Sequence, residues 1–438
     1  MTDFYRGSVL RIFSAGASPL SLALKKQKIN IKVFFVVAGL ILATNFGSET
    51  MGATILRNAK LHLTKGVLEG ADSLAVQNHR IIPLDPVLLE DGTSEEIDLN
   101  GMHVAPGFID LLVNGCAGVT FSSDLSLDGL ERMRRWLTLR GTLTFVPTLV
   151  SGPRESMTRA LAAVRKFMDK HPGVCPGIHL EGPFINPERK GFHGSGYIRG
   201  ISNSDLAYLR DNIDNIAYMT VAPEVVRGKF IMELLGMGMK LSLGHTNASF
   251  NDTVDAFKMG VNNITHLFNA MRPINGREPG IIGAVLNAQT VRAGVIADGR
   301  HVHPAIVRIV HQMLQDRMYI VSDSQAIAGS PEVMNSFTVA GTEVFNDSKR
   351  GLIDAKGSLV GTNICLMDGV KFLVKTCGIP IDDALMAAST IPARVLGLDY
   401  ESGWIDHGYR ADLIVFNDDF KIRYVIQNGF LKTTAELI

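Results

Sequence analysis

Short apolar runs alternate with longer amphipathic stretches through the middle of the chain, from about residue 106 to residue 325. Strands of a parallel sheet that is covered by helices on its outer face have this character, with one helical stretch between successive strands. The spacing of most runs is close to the ~30 residues of one strand-helix repeat. Eight strands are therefore predicted, at residues 108–113, 143–150, 177–180, 216–221, 240–243, 263–265, 291–296 and 319–322.

The number of repeats decides between a closed barrel and an open sheet. Eight repeats in about 220 residues close more naturally into a barrel. An open doubly wound sheet also favours a glycine-rich phosphate-binding turn after its first strand, and neither GxGxxG nor a Walker pattern occurs. The predicted fold class is α/β, with a (β/α)₈ TIM-type barrel over residues 106–395.

The two segments that flank this region carry a different pattern. Residues 51–105 alternate apolar and polar positions between turn residues, and strands are predicted at 53–63 and 97–104. Residues 396–438 are again turn and strand, with 422–431 as a hairpin partner. We predict that the two segments together form a second, smaller β-sandwich domain.

Residues 1–50 form a separate problem, because Lys25, Lys26 and Lys28 precede an apolar run at 33–43. This layout is typical of a signal peptide or a membrane anchor. The run is shorter than the ~20 residues needed to span a bilayer, and an alternating strand pattern starts at Met51. We predict an N-terminal extension outside the fold, and a membrane-tethered form is the alternative.

Charge and cysteine content give no sign of nucleic acid, an anionic membrane or an oxidising compartment. The chain has 43 basic and 43 acidic residues, so any anion recognition must be local. The four cysteines have no CxxC spacing, which favours reduced thiols in a cytoplasmic protein. They are Cys116, Cys175, Cys365 and Cys377.

Three matches to the N-glycosylation pattern bear on the same question, at Asn247, Asn251 and Asn263. Two of them flank His245, and the third leads directly into His266. A glycan at these positions would obstruct any metal site built on the two histidines. We therefore predict a cytoplasmic location.

Polar residues follow four of the predicted strands, where a barrel carries its reacting groups. Glu181, His245 and His266 form a set suited to one divalent metal ion with an open position for water, as in catalytic zinc sites. Asp323 then remains free as general acid and base, taking a proton from the attacking water and delivering it to the leaving amine. Zinc is the first choice of metal, and Fe²⁺, Mn²⁺ or Co²⁺ also suit these ligands.

Several longer motifs surround these residues, and together they resemble the N-acetylglucosamine-6-phosphate deacetylases of the amidohydrolase superfamily. The resemblance runs from about Met51 to the C-terminus. The motifs are HLEGPF at 179–184, GHTNA at 244–248, THLFNAM at 265–271, GREPG at 276–280, PGFID at 106–110 and IADGRH at 296–301.

The resemblance implies hydrolysis of the acetamide of N-acetylglucosamine 6-phosphate, with the same metal ligands and with Asp323 as general acid and base. It implies that His193 hydrogen-bonds the acetyl carbonyl as the oxyanion forms. It also implies substrate contacts, and a homodimer in which the arginine crosses to the neighbouring active site. The implied substrate contacts are His193, Asn269, the Ala270 backbone amide, Arg277, His301 and Asn114.

One position departs from the family pattern. Many amidohydrolases carry His-x-His at the end of the first strand for a second ion, and Leu112 and Asn114 stand there in this chain. An alkyl side chain cannot bind a cation, so a single metal per subunit is predicted. In the mononuclear branch the first position is usually Gln, so Leu112 removes a polar group from this corner.

Two other functions remain open from the sequence. One is an amidohydrolase that acts on a cyclic amide, of the dihydroorotase or hydantoinase type, although such enzymes use His-x-His and a bridging lysine, and the predicted fourth strand has no lysine. The other is a noncatalytic barrel, which the fold class alone does not exclude. Retention of Glu181, His245, His266 and Asp323 together argues against it.

Overall fold

The computed structural model describes residues 52–433, except for residues 87, 89–92, 331 and 333. The predicted extension 1–50 lies outside the described residues. Six strands precede the barrel: β1 (Thr54–Arg57), β2 (Lys60–Leu61), β3 (Leu74–Gln77), β4 (Arg80–Ile82), β5 (Glu95–Asp98) and β6 (His103–Pro106).

The central region alternates strands and helices as predicted. Its strands are β7 (Phe108–Val113), β8 (Gly115–Cys116), β9 (Val119–Thr120), β10 (Thr142–Val150), β11 (Ile178–Glu181), β12 (Ile216–Val221), β13 (Leu241–Leu243), β14 (Asn263–Ile264), β15 (Arg292–Ile296) and β16 (Met318–Val321). Its helices are α1 (Phe121–Asp124), α2 (Leu127–Leu139), α3 (Arg154–Lys170), α4 (Asn203–Asp211), α5 (Gly228–Gly236), α6 (Phe250–Met259), α7 (Gly280–Asn287) and α8 (Pro304–Leu314).

The remaining elements lie in the C-terminal part. They are β17 (Ser336–Val339), β18 (Thr342–Asp347), β19 (Gly351–Asp354), α9 (Leu366–Lys375), α10 (Ile381–Ala388), α11 (Thr390–Leu396), β20 (Leu413–Phe416), β21 (Ile422–Gln427) and β22 (Phe430–Thr433). No described helix combines the length and the apolar character that a bilayer crossing requires.

Eight parallel strands form the barrel, in the order β16-β15-β14-β13-β12-β11-β10-β7. The ends of the sheet meet where the backbone N–H of Asp323 donates to the Leu112 carbonyl at 3.0 Å and that of Asn114 donates to the Ser324 carbonyl at 3.0 Å. All eight predicted strands are present, with ends shifted by at most one residue. The predicted (β/α)₈ barrel is confirmed.

Local sequence signals explain where several of the covering helices begin and end. Helix α6 starts in a capping box, in which the Ser249 and Asp252 side chains satisfy each other's backbone N–H groups. It ends at Gly260, whose φ of 113° is open to glycine and costly for other residues. Helix α4 starts with the same device, formed by Ser202 and Asp205.

The terminal segments form two packed sheets, which confirms the predicted second, smaller β-sandwich. One sheet has the order β4-β3-β1-β5, and the other has the order β2-β6-β20-β21-β22 and so joins both ends of the chain. A buried apolar cluster lies between them and includes Leu56, Leu74, Val104, Leu413 and Val415. The domain limits 51–105 with 396–438, and 106–395, stay a prediction.

Three predicted strands in these segments were wrong in detail, because each contains a turn. The strand predicted at 53–63 is interrupted at Asn58 (φ 54°), and the strand at 97–104 is interrupted at Asn100 (φ 50°). At both turns the chain passes from the first sheet to the second. The strand at 422–431 is itself a hairpin, β21 and β22, which turns at Asn428 and Gly429.

A further three-stranded antiparallel sheet, β17-β18-β19, lies between the last barrel strand and α9. It was not predicted. Its buried residues Val339, Val344 and Leu352 pack in a cluster with Phe192, the neighbour of His193. The sheet therefore supports the loop that carries one of the predicted site residues.

Candidate metal centre and active site

The predicted metal ligands and the predicted acid lie at equivalent positions of the barrel. Glu181 is the last residue of β11, and His245, His266 and Asp323 each lie two residues beyond the end of their strands. The last three have left-handed backbone angles, with φ of 48°, 30° and 49°. Such angles are uncommon outside glycine and concentrate at functional sites.

Glycine at position 244 lets the chain before His245 lie close to its neighbours on both sides. A Cβ atom at Gly244 would lie 2.9 Å from the side chains of both Thr220, on β12, and Thr265, directly after β14. A larger residue would push β13 away from its neighbours and move His245 with it.

Three ligand atoms converge in the buried centre. Glu181 Oε1 lies 3.2 Å from His245 Nε2 and 3.1 Å from His266 Nε2, and the two imidazole nitrogens are 3.0 Å apart. Ligands of a tetrahedral zinc at about 2.1 Å would lie about 3.4 Å from one another. Nitrogen lone pairs that face each other so closely repel unless a cation or a shared proton lies between them. The donor set fits a divalent metal ion.

The second ring nitrogen of His245 supports this assignment. His245 Nδ1 donates to the Arg189 backbone carbonyl at 2.9 Å, because a carbonyl can only accept. The proton of this imidazole therefore lies on Nδ1, and Nε2 presents its lone pair to the centre. Carbonyl partners of this kind orient metal-binding histidines in proteins.

Glu181, His193 and His245 also place ligand atoms within 4.8 Å of one another, so a different set is geometrically available. The surroundings of His193 argue against it. The Ser151 backbone N–H donates to His193 Nδ1 at 3.2 Å, so Nδ1 is an acceptor and the ring proton lies on Nε2. A protonated Nε2 cannot bind a cation, and we favour Glu181, His245 and His266.

His193 is fully buried, although its loop is rich in glycine and reads as exposed in the sequence. Its Nε2 atom lies 3.6 Å from Glu181 Oε2, too far for a hydrogen bond, and has no partner among the described residues. A buried N–H donor without an acceptor is rare in folded proteins. It is directed toward the centre, where a substrate oxygen can accept from it.

The charge state of Glu181 suits a ligand. Burial alone would raise the pKa of its carboxyl, but the imidazoles of His193, His245 and His266 outweigh this effect and hold the pKa well below its usual range. His179 lies two residues before Glu181 on the same strand, and burial lowers the pKa of its imidazole to about 3. The uncharged His179 bonds to Thr148 and Thr220, which gives the centre a rigid polar floor.

Asp323 lies beside this cluster and is almost fully buried. Burial and the negative charge of Glu181 raise its pKa to about 8, against the effects of His266 and Asn114. Asn114 Nδ2 donates to Asp323 Oδ1 at 2.6 Å. The predicted substrate contact Asn114 therefore holds the predicted acid in place.

The corner at Leu112 is apolar as the sequence indicated. Leu112 is buried in a cluster with Ile109 and Leu111, and its carbonyl accepts a hydrogen bond from the Asp323 N–H.

Cys116 is buried and its thiol faces the Met133 carbonyl at 3.8 Å, while burial raises the pKa of the thiol well above its usual value. All four cysteines are buried free thiols.

The other predicted substrate contacts are placed around the same rim. His301 follows β15, and its Nδ1 donates to Asp298 Oδ2 at 2.8 Å, which leaves Nε2 for a ligand. Asn269 and Ala270 are partly buried just after His266. Arg277 is exposed, and its side chain forms no ion pair within the described residues. Their contacts with substrate stay predictions.

Three supporting groups were missed by sequence reasoning. The Ser151 N–H and the Arg189 carbonyl are backbone groups. Because such groups do not depend on the type of residue, the sequence does not indicate their role. Asp298 could have been found, because Asp-Gly-Arg-His is typical of a turn in which the aspartate accepts from following N–H groups. Its Oδ1 accepts from the backbone of Arg300 and His301 at 2.8 Å each.

Comparison with known proteins agrees with this geometry. Residues 103–431 match the model of the amidohydrolase family, and the chain belongs to that family. Within it, the chain is 36% identical over 342 residues to N-acetylglucosamine-6-phosphate deacetylase of Haemophilus influenzae, covering 78% of this chain and 89% of the relative. The enzyme of the same name from Mus musculus is 33% identical over 406 residues, covering 89% and 98%.

A solved structure shows the same architecture. N-acetylglucosamine-6-phosphate deacetylase from Pasteurella multocida matches with a TM-score of 0.82 and 35% identity, over 87% of this chain and 100% of that chain. The resemblance drawn from the sequence motifs is confirmed, and the match extends through the barrel and both flanking segments.

Proposed function

We infer that the protein is a hydrolytic deacetylase of amino-sugar metabolism, which converts N-acetylglucosamine 6-phosphate to glucosamine 6-phosphate and acetate. The observation that carries this inference is the convergence of Glu181 Oε1, His245 Nε2 and His266 Nε2 to within 3.0–3.2 Å, with Asp323 beside them. Both relatives are named for this activity, and the match covers most of their length. This combination argues against a noncatalytic barrel.

Glu181, His245 and His266 would hold one divalent ion per subunit. The mixed oxygen and nitrogen donors suit Zn²⁺ first, and Fe²⁺, Mn²⁺ or Co²⁺ can be accepted by the same set. Such an ion makes water a stronger nucleophile and polarises the amide carbonyl. A second ion is not expected, because Leu112 offers no ligand.

Asp323 serves as the proton carrier. Its ionised carboxylate takes a proton from the attacking water, and the same carboxyl then gives that proton to the departing amine nitrogen. The Asn114 amide holds Oδ1, so Oδ2 is the oxygen left for the transfer. Burial raises the pKa of this carboxyl, which helps it to hold the proton until the amine leaves.

His193 supplies the hydrogen bond to the acetyl carbonyl. Its Nε2–H is fixed by the Ser151 contact before substrate arrives, and a preorganised donor stabilises the oxyanion that forms at that oxygen. Asn269, the Ala270 N–H and Arg277 bind the phosphate, and His301 Nε2 contacts the sugar hydroxyls. The guanidinium fork of arginine matches phosphate oxygens in pairs.

An acetate-release assay tests this function. The purified protein, loaded in turn with each candidate metal, is given N-acetylglucosamine 6-phosphate, unphosphorylated N-acetylglucosamine, and a cyclic amide of the dihydroorotate or hydantoin type. We expect acetate from the phosphorylated sugar at the highest kcat/KM. Hydrolysis of the cyclic amide without acetate release would favour the alternative amidohydrolase.

We also propose a homodimer in which Arg277 reaches the partner's active site. Arg277 is exposed in the loop of residues 272–279 and forms no ion pair with any described residue. An arginine in this position can reach a neighbouring subunit. Mixing Asp323→Asn subunits with Arg277→Ala subunits tests it. An arginine that acts across the interface restores one complete site in each mixed dimer, and one that acts within its own subunit restores none.

The cytoplasm is the proposed location. Asn263, one of the three glycosylation matches, is buried in the barrel and donates to Ser242 Oγ at 3.2 Å, so a glycan there is incompatible with the fold. The buried free cysteines suit a reducing compartment.

A further inference from the structure

A second concave region lies at the end of the barrel opposite the metal centre, where the strands begin. It is a cavity of about 290 Å³ beside the starts of β13, β14 and β15. This volume is at the lower limit of pockets that take small organic ligands. Its polar lining comes mainly from Tyr218, Lys240, Asn262, Asn263, Arg292 and Arg394.

The lining is cationic, although the chain as a whole has no net charge. Lys240, Arg292 and Arg394 face the cavity, and no acidic residue is part of its described lining. Arg394 pairs with the mostly exposed Asp316 at 3.0 Å. Lys240 is exposed and forms no ion pair with any described residue. An excess of about two positive charges therefore remains in one small volume.

Arg292 is the unusual member of this group. Its side chain is partly buried, its Nε atom is completely buried, and it forms no hydrogen bond or ion pair with the described part of the chain. A buried donor left unsatisfied costs roughly 1–3 kcal/mol, and more when it is charged. No described residue therefore supplies an acceptor for the Nε–H of this guanidinium.

Arg317, close to Arg292, is an arginine whose hydrogen-bond acceptors are supplied by the protein. Its guanidinium donates to the carbonyls of Ala288, Val291 and Met313 at 2.9–3.2 Å. Burial lowers its pKa, and the charge of Arg292 lowers it further, against the effect of Asp316. Arg317 already uses the nearby carbonyls, so they are not free for Arg292, whose side chain lines the cavity.

We propose that this cavity is a second, noncatalytic anion site, which binds a phosphate dianion either as inorganic phosphate or as the head of a small phosphomonoester. A dianion balances the two excess charges, and the planar guanidinium of Arg292 can donate to two phosphate oxygens at once. Lys240 and Arg394 complete the set of cations from the start of β13 and the end of α11. The site is separate from the phosphate contacts proposed for the substrate, which lie at the other end of the barrel.

Isothermal titration calorimetry tests the site on the full chain at low ionic strength. The probes are inorganic phosphate, glucosamine 6-phosphate and, as the control without phosphate, glucosamine. Wild-type protein is compared with Arg292→Gln, Lys240→Gln and Arg394→Gln, and with Lys229→Gln as a matched exposed lysine elsewhere. We expect one phosphate-binding event to weaken at least tenfold in the first three variants and to stay unchanged in Lys229→Gln.

The arms of the test separate the sources of phosphate. For the binding event that the cavity variants weaken, equal affinity for inorganic phosphate and glucosamine 6-phosphate identifies the free anion. Tighter binding of the sugar phosphate in that event identifies a phosphomonoester. Identical isotherms for wild type, Lys240→Gln and Arg394→Gln would overturn the proposal and leave a cavity filled by water. Those two variants decide the matter even where Arg292→Gln does not fold, since Lys240 is exposed and Arg394 is only partly buried.

Discussion

The Ser151 backbone N–H donates to Nδ1 of His193 across 3.2 Å, and Ser151 Oγ lies 2.9 Å from the same nitrogen. This contact, between two residues 42 positions apart, sets which nitrogen of a buried histidine carries the proton. It leaves the His193 Nε2–H free to donate into the centre, 3.6 Å from Glu181 Oε2, while the Arg189 carbonyl leaves His245 Nε2 with its lone pair. Two histidines whose ring centroids lie 4.6 Å apart thus take opposite roles.

His193→Ala and His266→Ala distinguish a hydrogen-bond donor to the substrate from a metal ligand. We expect His266→Ala to lose bound metal, because it removes one of three ligands. His193→Ala should keep the metal and lose roughly 10²–10³-fold in kcat, the usual effect of removing one oxyanion donor. Metal content per chain is measured by plasma mass spectrometry. The control is His311→Ala, a histidine of helix α8 that pairs with Asp383. Loss of metal from His193→Ala would show that His193 is a ligand.

Asp323→Asn removes the proposed proton carrier and keeps the shape of the side chain. We expect kcat to fall roughly 10²–10⁴-fold, because positioned acid-base groups contribute on this scale. Metal content should stay at the wild-type level, since no ligand is lost, and the amide oxygen of the substituted side chain can still accept from Asn114. Asp316→Asn, an exposed carboxylate, serves as control. Near-normal acetate release from Asp323→Asn would refute the assignment.

Arg277→Ala tests the phosphate contact. We expect KM for N-acetylglucosamine 6-phosphate to rise roughly tenfold to a hundredfold, the range for a lost hydrogen bond to a charged group. The kinetic constants for the unphosphorylated sugar should hardly change. Steady-state acetate release on both sugars checks this, with the exposed Arg210→Ala as control. Equal effects on the two sugars would mean that Arg277 binds something other than phosphate.

Much of the barrel could be predicted because its strands are apolar throughout and its helices are amphipathic, so the pattern alone locates them. The clustering of Glu181, His245 and His266 could be predicted as well, since parallel strands end at one face. The flanking sheets were harder: Asn58 and Asn100 turn the chain between layers without breaking the alternation of polar and apolar residues. The partner groups of His193 and His245 lie on the backbone, and only the folded chain brings them together.

Asp205 anchors the segment that follows Glu181, and its charge should make the fold sensitive to acid. Its side chain is 4% exposed and accepts two hydrogen bonds from Arg199, at 2.6 and 2.7 Å, and further bonds from Ser202. Arg199 in turn lies over the ring of Phe184, 5.2 Å from its centroid. Burial would raise the pKa of Asp205, but the bonds from Arg199 and Ser202 outweigh it and lower the pKa to about 2.

The sign of the pH effect follows from this lowered pKa. An aspartate of the unfolded chain titrates near ~3.9, so the folded state binds its proton less readily. The stabilisation by Asp205 is complete above about pH 5 and is lost as the pH falls toward 2. We expect the difference in urea midpoint between wild type and Asp205→Asn to be constant from pH 7 to 5 and to shrink progressively from pH 4 to 3.

Comparing the two proteins at each pH removes the contribution of the metal centre, since the substitution leaves Glu181, His245 and His266 unchanged. Asp255→Asn, whose carboxylate is 64% exposed, provides the matched control and should show no such trend. A difference between wild type and Asp205→Asn that stays constant down to pH 3 would contradict the lowered pKa. A difference that grows with acidity would mean that Asp205 is stabilising in its protonated form.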